Sequence, residues 1–322
     1  MLLATGALIL GFIALMWSAD HFVNGAAATA RNLGMSPMLI GLTIISIGTS
    51  APEILVSLMA ATSGHGDLAI GNALGSNIAN IALVLGITLL VAPIPVNDRL
   101  MKKELPLLAM ITITSGFMMY DNYIGFFEGV VMVCALIITL LIFNHWQKQP
   151  DVGETTSVGQ ESDEDIPDIP QGKAFFVLVT GLAVLLASSR MLVWAATEIA
   201  LELGMSELTI GLTVVAIGTS LPELAACIAS ALKKHHDMAI GNIIGSNIFN
   251  LLAVMAVPGL VSPMAIDPSA FARDYPIMTG LTLLLVALTL IGKRPKVIGR
   301  ISGTLLLACY IAYSLLILTT GS

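Results

Sequence analysis

The chain has 322 residues, of which 56% are hydrophobic and only 11% charged, against about 25% charged in soluble domains. That balance excludes a soluble globular enzyme, and it leaves no basic patch for a nucleic acid to dock on. The net charge of −7 is local: Asp151, Glu154, Glu161, Asp163, Glu164, Asp165 and Asp168 hold seven of the 21 acids, and elsewhere 14 acids face 14 Lys and Arg.

Ten apolar segments are predicted, near 2–30, 37–61, 67–91, 101–119, 124–146, 172–200, 207–231, 237–260, 272–291 and 297–318. The runs Leu68–Val96 and Met238–Ile266 contain no charge and exceed the ~20 residues that cross a bilayer. Met1–Asp20 lacks the basic leading region of a signal peptide and reads as part of a retained first helix. The stretch between the fifth and sixth segments is rich in acid, Pro, Ser, Thr and Gly. It cannot bury a core and is predicted to be a disordered tether. The chain therefore divides into a first five-helix repeat (1–146), an acidic flexible linker (147–171) and a second five-helix repeat (172–322).

The word repeat rests on identity. The blocks Gly48-Thr49-Ser50-Ala51-Pro52-Glu53 and Gly71-Asn72-Ala73-Leu74-Gly75-Ser76-Asn77-Ile78-Ala79-Asn80 return 170 residues later. There they read Gly218-Thr219-Ser220-Leu221-Pro222-Glu223 and Gly241-Asn242-Ile243-Ile244-Gly245-Ser246-Asn247-Ile248-Phe249-Asn250. Between Gly34–Asn80 and Gly204–Asn250, 25 of 47 positions are identical, which marks an internal duplication. Pro93 and Pro263 obey the same offset, as do Glu104-Leu105-Pro106 and Asp274-Tyr275-Pro276. Five is odd, so the second copy must start from the opposite side of the membrane. The expected fold is all-α and polytopic, with ten transmembrane helices as two inverted repeats. Twelve Lys and Arg fall on one side of that topology and only Arg273 and Arg190 on the other. The positive-inside rule then puts both termini outside and the linker in the cytoplasm.

Glu53 is the only charged residue within 37–61, and Glu223 the only one within 207–231 apart from Glu207 at its first position. A charge at mid-membrane costs ~2.5–3.5 kcal/mol on insertion scales, so each marks a functional site by default. Pro52 and Pro222 lack an N–H and clash with the carbonyl four residues earlier, at Gly48 and Gly218. The helix is expected to break there, freeing carbonyls at Gly48 to Thr49 and Gly218 to Thr219. Proline opens a second half-helix with Glu in its first turn, where the dipole favours an anion. Asn72, Ser76 and Asn80 fall at i, i+4 and i+8 and form one polar stripe, repeated by Asn242, Ser246 and Asn250. Gly71, Gly75, Gly241 and Gly245 are small-x-x-x-small pairs that allow close helix approach. Every candidate ligand is an oxygen, and no His lies in any block. Oxygen donors suit a hard cation such as Ca²⁺, which takes about 6–8 of them. The three cysteines, Cys134, Cys227 and Cys309, have neither disulfide nor zinc spacing and are read as packing residues.

The paired blocks resemble the alpha repeats of the sodium/calcium exchanger family, within the calcium/cation antiporter superfamily. The resemblance covers nearly the whole chain outside the linker. It implies an antiporter rather than an enzyme, with no cofactor, Ca²⁺ and Na⁺ as transported ions, and no obligate protein partner. It implies calcium ligands at Glu53, Glu223 and the Thr49 and Thr219 backbones. It implies sodium ligands at Ser50, Ser76, Ser220 and Ser246 with either glutamate, and carbonyls at Ser46 and Ala216. Many members carry an acid where this chain has Asn80 or Asn250, so two formal negative charges remain here rather than three. A proton-coupled cation antiporter on the same fold is the alternative. A passive channel could use the same oxygens, but broken helices in inverted repeats are a transporter's architecture.

Overall fold

A computed structural model describes residues 1–64, 66–147, 168–204, 216–290 and 296–320. The linker expectation and the start of the seventh segment fall on residues outside these. The described chain is helical apart from four two-residue strands. In the first half, α1 is Leu2–Leu33, α2 Pro37–Thr49, α3 Ala51–Thr62, α4 Gly66–Val91, α5 Leu105–Met119 and α6 Phe126–Gln147. In the second, α7 is Gln171–Glu202, α8 Ala216–Thr219, α9 Leu221–Leu232, α10 His236–Val261, α11 Ala270–Leu290 and α12 Arg300–Thr320. Among the described residues seven helices are long and apolar enough to cross a membrane, and the bent pair α2–α3 makes an eighth.

Burial sorts these helices into a centre and a rim. Of the best apolar window of α4, 78% is buried, and of α10, 83%; in α6 and α12 the shares are 22% and 11%. A helix that is apolar all round and still exposed, such as α12 with Ile301, Ile311 and Leu315 turned outward, belongs against lipid. Cys227 is buried in the central cluster, but Cys134 is exposed on α6, so not all three thiols are packing residues.

The duplication is visible in the elements. The helices α3 and α9, the starts of α4 and α10, and the strands β1 (Ile94–Pro95) and β3 (Met264–Ala265) recur at the sequence offset. So do π turns that open at Asn80 and Asn250, and at Leu100 and Ala270. The second pair has a local cause. Pro106 and Pro276 sit just beyond it, and each withholds an N–H and pushes on the carbonyl one turn back, which widens that turn. The short strands pair across the halves. β1 lies antiparallel to β4 (Val297–Ile298), and β2 (Tyr123–Ile124) antiparallel to β3. Helix packing is exchanged in the same sense, with Gly303 of α12 against Gly86 of α4 and Gly129 of α6 against Ala256 of α10.

Small residues let the central helices touch through their backbones. A Cβ on Gly241 would lie 2.8 Å from the Met38 carbonyl, and one on Gly245 would lie 2.5 Å from both the Leu42 carbonyl and the Ser46 hydroxyl. The approach expected of the second small pair is therefore present, between α10 and α2. For the first pair, Gly71 and Gly75, no atom falls within 4 Å of such a Cβ; the stretch 205–215, which repeats the start of α2, is not among the described residues. Outside this core α1 and α7 lie against each other, with Gly25 on the Leu178 backbone and Gly181 on that of Phe22.

Gly245→Val is expected to abolish a monodisperse peak in fluorescence-detected size exclusion, because backbone blocks its Cβ. Gly280→Ala has open space at its Cβ and should hold or raise the melting temperature, since alanine favours helix over glycine by about 1 kcal/mol.

Candidate cation site

The break falls where proline predicts, one residue further along. Ser50 at φ −85°, ψ 4° separates α2 from α3, which meet at 44°. Ser220 takes nearly the same conformation, φ −89° and ψ 3°, between α8 and α9. The two breaks are wired differently. The Ser50 N–H bonds the Ser46 carbonyl at 2.9 Å, whereas the Ser220 N–H turns to Ile217 at 3.1 Å. The Gly218 carbonyl, deprived of an intrahelical donor by Pro222, accepts the Ser189 hydroxyl of α7 at 3.1 Å. Ser189 corresponds to Ala19 in the first repeat, which has no hydroxyl to offer Gly48.

Glu53 and Glu223 occupy the first turns of α3 and α9, each only 2% exposed. They are brought together: the Glu53 charge acts on Glu223, and the Thr49 and Ser50 hydroxyls lie beside the Glu223 carboxylate. None of these contacts closes into a hydrogen bond of ordinary geometry. Glu53 Oε2, both Glu223 oxygens and the Ser50 and Ser220 hydroxyls are buried without a hydrogen-bond partner. A buried polar atom without a partner costs about 1–3 kcal/mol, more when it is charged. Three carboxylate oxygens and two serine hydroxyls thus form a set of oxygens that a cation would satisfy.

The rest of the predicted set is buried to differing degrees. Ser46, Thr49, Ser76, Asn80, Ser246 and Asn250 are all buried, while Thr219 is half-buried. Ser46 keeps its hydroxyl on the Leu42 carbonyl, at 2.8 Å. Both side-chain polar atoms of Asn250 are buried without partners. Ala216 starts α8 and has only its carbonyl to contribute. Asn72 donates to the Glu53 carbonyl at 3.2 Å, and Asn242 accepts from the Thr49 hydroxyl at 3.3 Å. Neither amide was among the candidate ligands, although both lie on the predicted stripes. Asn77 and Asn247 are a further omission. They hold equivalent places in the repeat, yet Asn77 donates to the Asn247 carbonyl at 3.3 Å, so the two copies meet there. Asp20 is engaged away from the glutamates, with Lys233 at 2.6 Å.

Among the described residues no three His, Cys, Asp or Glu side chains come together as a metal cluster. A cation held here would take two carboxylates and fill its shell with hydroxyl and carbonyl oxygens, the donor chemistry of Ca²⁺ and Na⁺ rather than of zinc or copper.

Fold and site define a membrane transporter of cations. A profile of the sodium/calcium exchanger protein family matches residues 3–144 and 173–319, and the chain belongs to that family. It is 46% identical over 322 residues to CaxA of Alkalimonas amylolytica, covering 99% of this chain and 100% of the relative. It is 40% identical to YrbG, an inner membrane protein of Escherichia coli strain K12, over 97% of this chain and 96% of that one. A structure of the sodium-calcium exchanger NCX_Mj, soaked with 2.5 mM Na⁺ and 0.1 mM Ca²⁺, superposes with a TM-score of 0.82 at 32% identity, covering 97% of both chains.

Removing either carboxylate tests the centre. Glu53→Gln and Glu223→Gln should each abolish calcium exchange in proteoliposomes while the purified protein stays monodisperse. Calcium exchange retained by either variant would remove that residue from the site.

Proposed function

We propose that this chain is a secondary antiporter that exchanges Ca²⁺ for Na⁺ by alternating access, extruding calcium at the expense of the sodium gradient. The observation that carries the reading is the pair of facing carboxylates, one from each repeat, buried with unpartnered oxygens among hydroxyls. Glu53, Glu223 and the Thr49 and Thr219 carbonyls would hold Ca²⁺. Ser50, Ser76, Ser220 and Ser246, with the Ser46 and Ala216 carbonyls, would complete sodium sites, and Asn80 and Asn250 would line them. Similarity to NCX_Mj, a sodium-calcium exchanger, supports the same ions. The arrangement is two inverted five-helix repeats in the cell membrane, both termini outside and the linker cytoplasmic. The exchanged strand pairs and helix contacts favour it, because they relate the halves as an approximate two-fold axis would.

The rival is proton coupling on the same fold. Two carboxylates that share one buried site would carry protons without help from the serines. A proton exchanger, however, has no use for hydroxyls placed symmetrically at Ser50 and Ser220 and at Ser76 and Ser246. An outward-directed Na⁺ gradient should therefore drive ⁴⁵Ca²⁺ into vesicles, and a pH gradient alone should not. Ser76→Ala combined with Ser246→Ala should raise the sodium needed for half-maximal exchange and leave calcium binding nearly intact. Equal exchange against protons with sodium absent would assign the coupling to H⁺.

Topology has its own test. Inversion places Lys102 and Lys234 on one side, so Lys102→Cys and Lys234→Cys should label from the same face. The background would be Cys134→Ala, Cys227→Ser and Cys309→Ala. Labelling from opposite faces would end the inverted reading.

A further inference from the structure

The site is built from two copies of one sequence, yet the residues one turn beyond the two glutamates differ. Where the first repeat has Ser57, the second has Cys227, and both are fully buried. Each gives its hydrogen to an equivalent carbonyl: the Ser57 hydroxyl to Ala69 at 3.4 Å and the Cys227 thiol to Ala239 at 3.5 Å. Their neighbouring asparagines then part ways. Asn72 ignores Ser57 and donates to the Glu53 carbonyl at 3.2 Å. Asn242 donates to the Cys227 sulfur at 3.3 Å.

The consequence for Asn242 is an orientation. An amide side chain can turn either end to a neighbour, and what faces it decides which. The Cys227 hydrogen is committed to Ala239, so the sulfur presents only lone pairs, and the Nδ2 end of Asn242 must face it. Its Oδ1 is thereby aimed away, and there it accepts from the Thr49 hydroxyl of the other repeat at 3.3 Å and lies 3.5 Å from the Ser246 hydroxyl. Thr49 closes α2 at the break, so holding its side chain also holds the direction of its carbonyl.

We propose that Cys227 is a positioning residue for the cation site: acting through Asn242, it fixes Thr49 across the repeat interface, and the first repeat has no equivalent. This rests on the reading that Glu53, Glu223 and Thr49 hold the transported cation. Cys227 itself touches no ion. Its loss lets the Asn242 amide turn, frees the Thr49 group and weakens cation capture without altering the carboxylates. Because the lost interaction is one of binding, the effect belongs in KM and not in the maximal rate.

The experiment is ⁴⁵Ca²⁺ uptake into Na⁺-loaded proteoliposomes. Cys227→Ala should raise the KM for calcium about fivefold, the factor that one hydrogen bond carries, with the maximal rate within about twofold of wild type. Cys227→Ser keeps both a donor for Ala239 and an acceptor for Asn242, so it should restore the wild-type KM. Ser57→Ala should leave KM unchanged, because no amide depends on Ser57. Thr49→Val should reproduce the rise, and the Cys227→Ala, Thr49→Val pair should be no worse than Thr49→Val alone, since both act through one chain of contacts. That cycle can be run with Cys227→Val if the alanine variant is not monodisperse. An unchanged KM in Cys227→Ala, a serine variant as impaired as the alanine one, an equal effect from Ser57→Ala, or additive effects in the cycle would each overturn the positioning role. Wild-type protein that takes up no calcium would remove the antiport reading, and the positioning role with it.

Discussion

Everything in this molecule answers to the difficulty of keeping two carboxylates inside a membrane. An ion in a low-dielectric interior loses its hydration and must recover that energy from partners. No Lys or Arg lies within the segments that carry Glu53 and Glu223, so the recovery has to come from hydroxyls, amides, helix ends and whatever cation arrives. The proline-induced breaks serve that need twice. They put each carboxylate in the first turn of a half-helix, where the dipole favours negative charge, and they release backbone carbonyls from the helical ladder, of which that of Gly218 accepts the Ser189 hydroxyl instead. The enclosure of α4 and α10, the glycine contacts behind them and the exchanged packing of the rim helices hold the two breaks face to face.

Duplication supplies the frame, and small departures from it supply the difference between the halves. Gly218 is capped by Ser189, while the residue equivalent to Ser189 in the first repeat is Ala19, which has no hydroxyl for Gly48. Asp20 is bridged to Lys233, while the equivalents of these two residues are Arg190 and Ser63, which cannot form an ion pair. An exposed pair of this kind contributes about 0–1 kcal/mol, and a single hydrogen bond a similar amount. Under the proposed alternating access such increments matter, because identical copies would make the two states equal in energy and each departure would weight one against the other.

Much of this was legible in the residues. Composition and charge-free runs indicated the membrane, and the repeated blocks with their Pro-Glu pairs indicated where helices break and where carboxylates collect. The π turns before Pro106 and Pro276 were not anticipated, although proline's geometry accounts for them. What the pattern did not carry was the wiring. A periodicity argument put Asn72 and Asn242 on equivalent stripes, but it could not show that one donates to a backbone carbonyl and the other to a sulfur. It passed over Asn77 and Asn247, which lie off that stripe and meet only because the two copies cross there. It also read Cys227 as filler, although its alignment with Ser57 was visible, because hydrogen-bond geometry at a thiol depends on its neighbours on another helix, here Ala239 and Asn242 of α10. Cys134, likewise apolar in context, turned out to face outward, since a uniformly apolar helix gives periodicity nothing to work with.

The exchanged strands bear on how the chain is made. Ile94–Pro95 and Tyr123–Ile124 leave the ribosome long before Met264–Ala265 and Val297–Ile298, the partners they pair with. During synthesis the amino-terminal half therefore sits in the bilayer with two edges open and its rim helix α6 lacking the α10 surface it packs on. Maturation is a closing of one half upon the other, and until that closure the β1 and β2 edges and the α6 face have no partner to cover them.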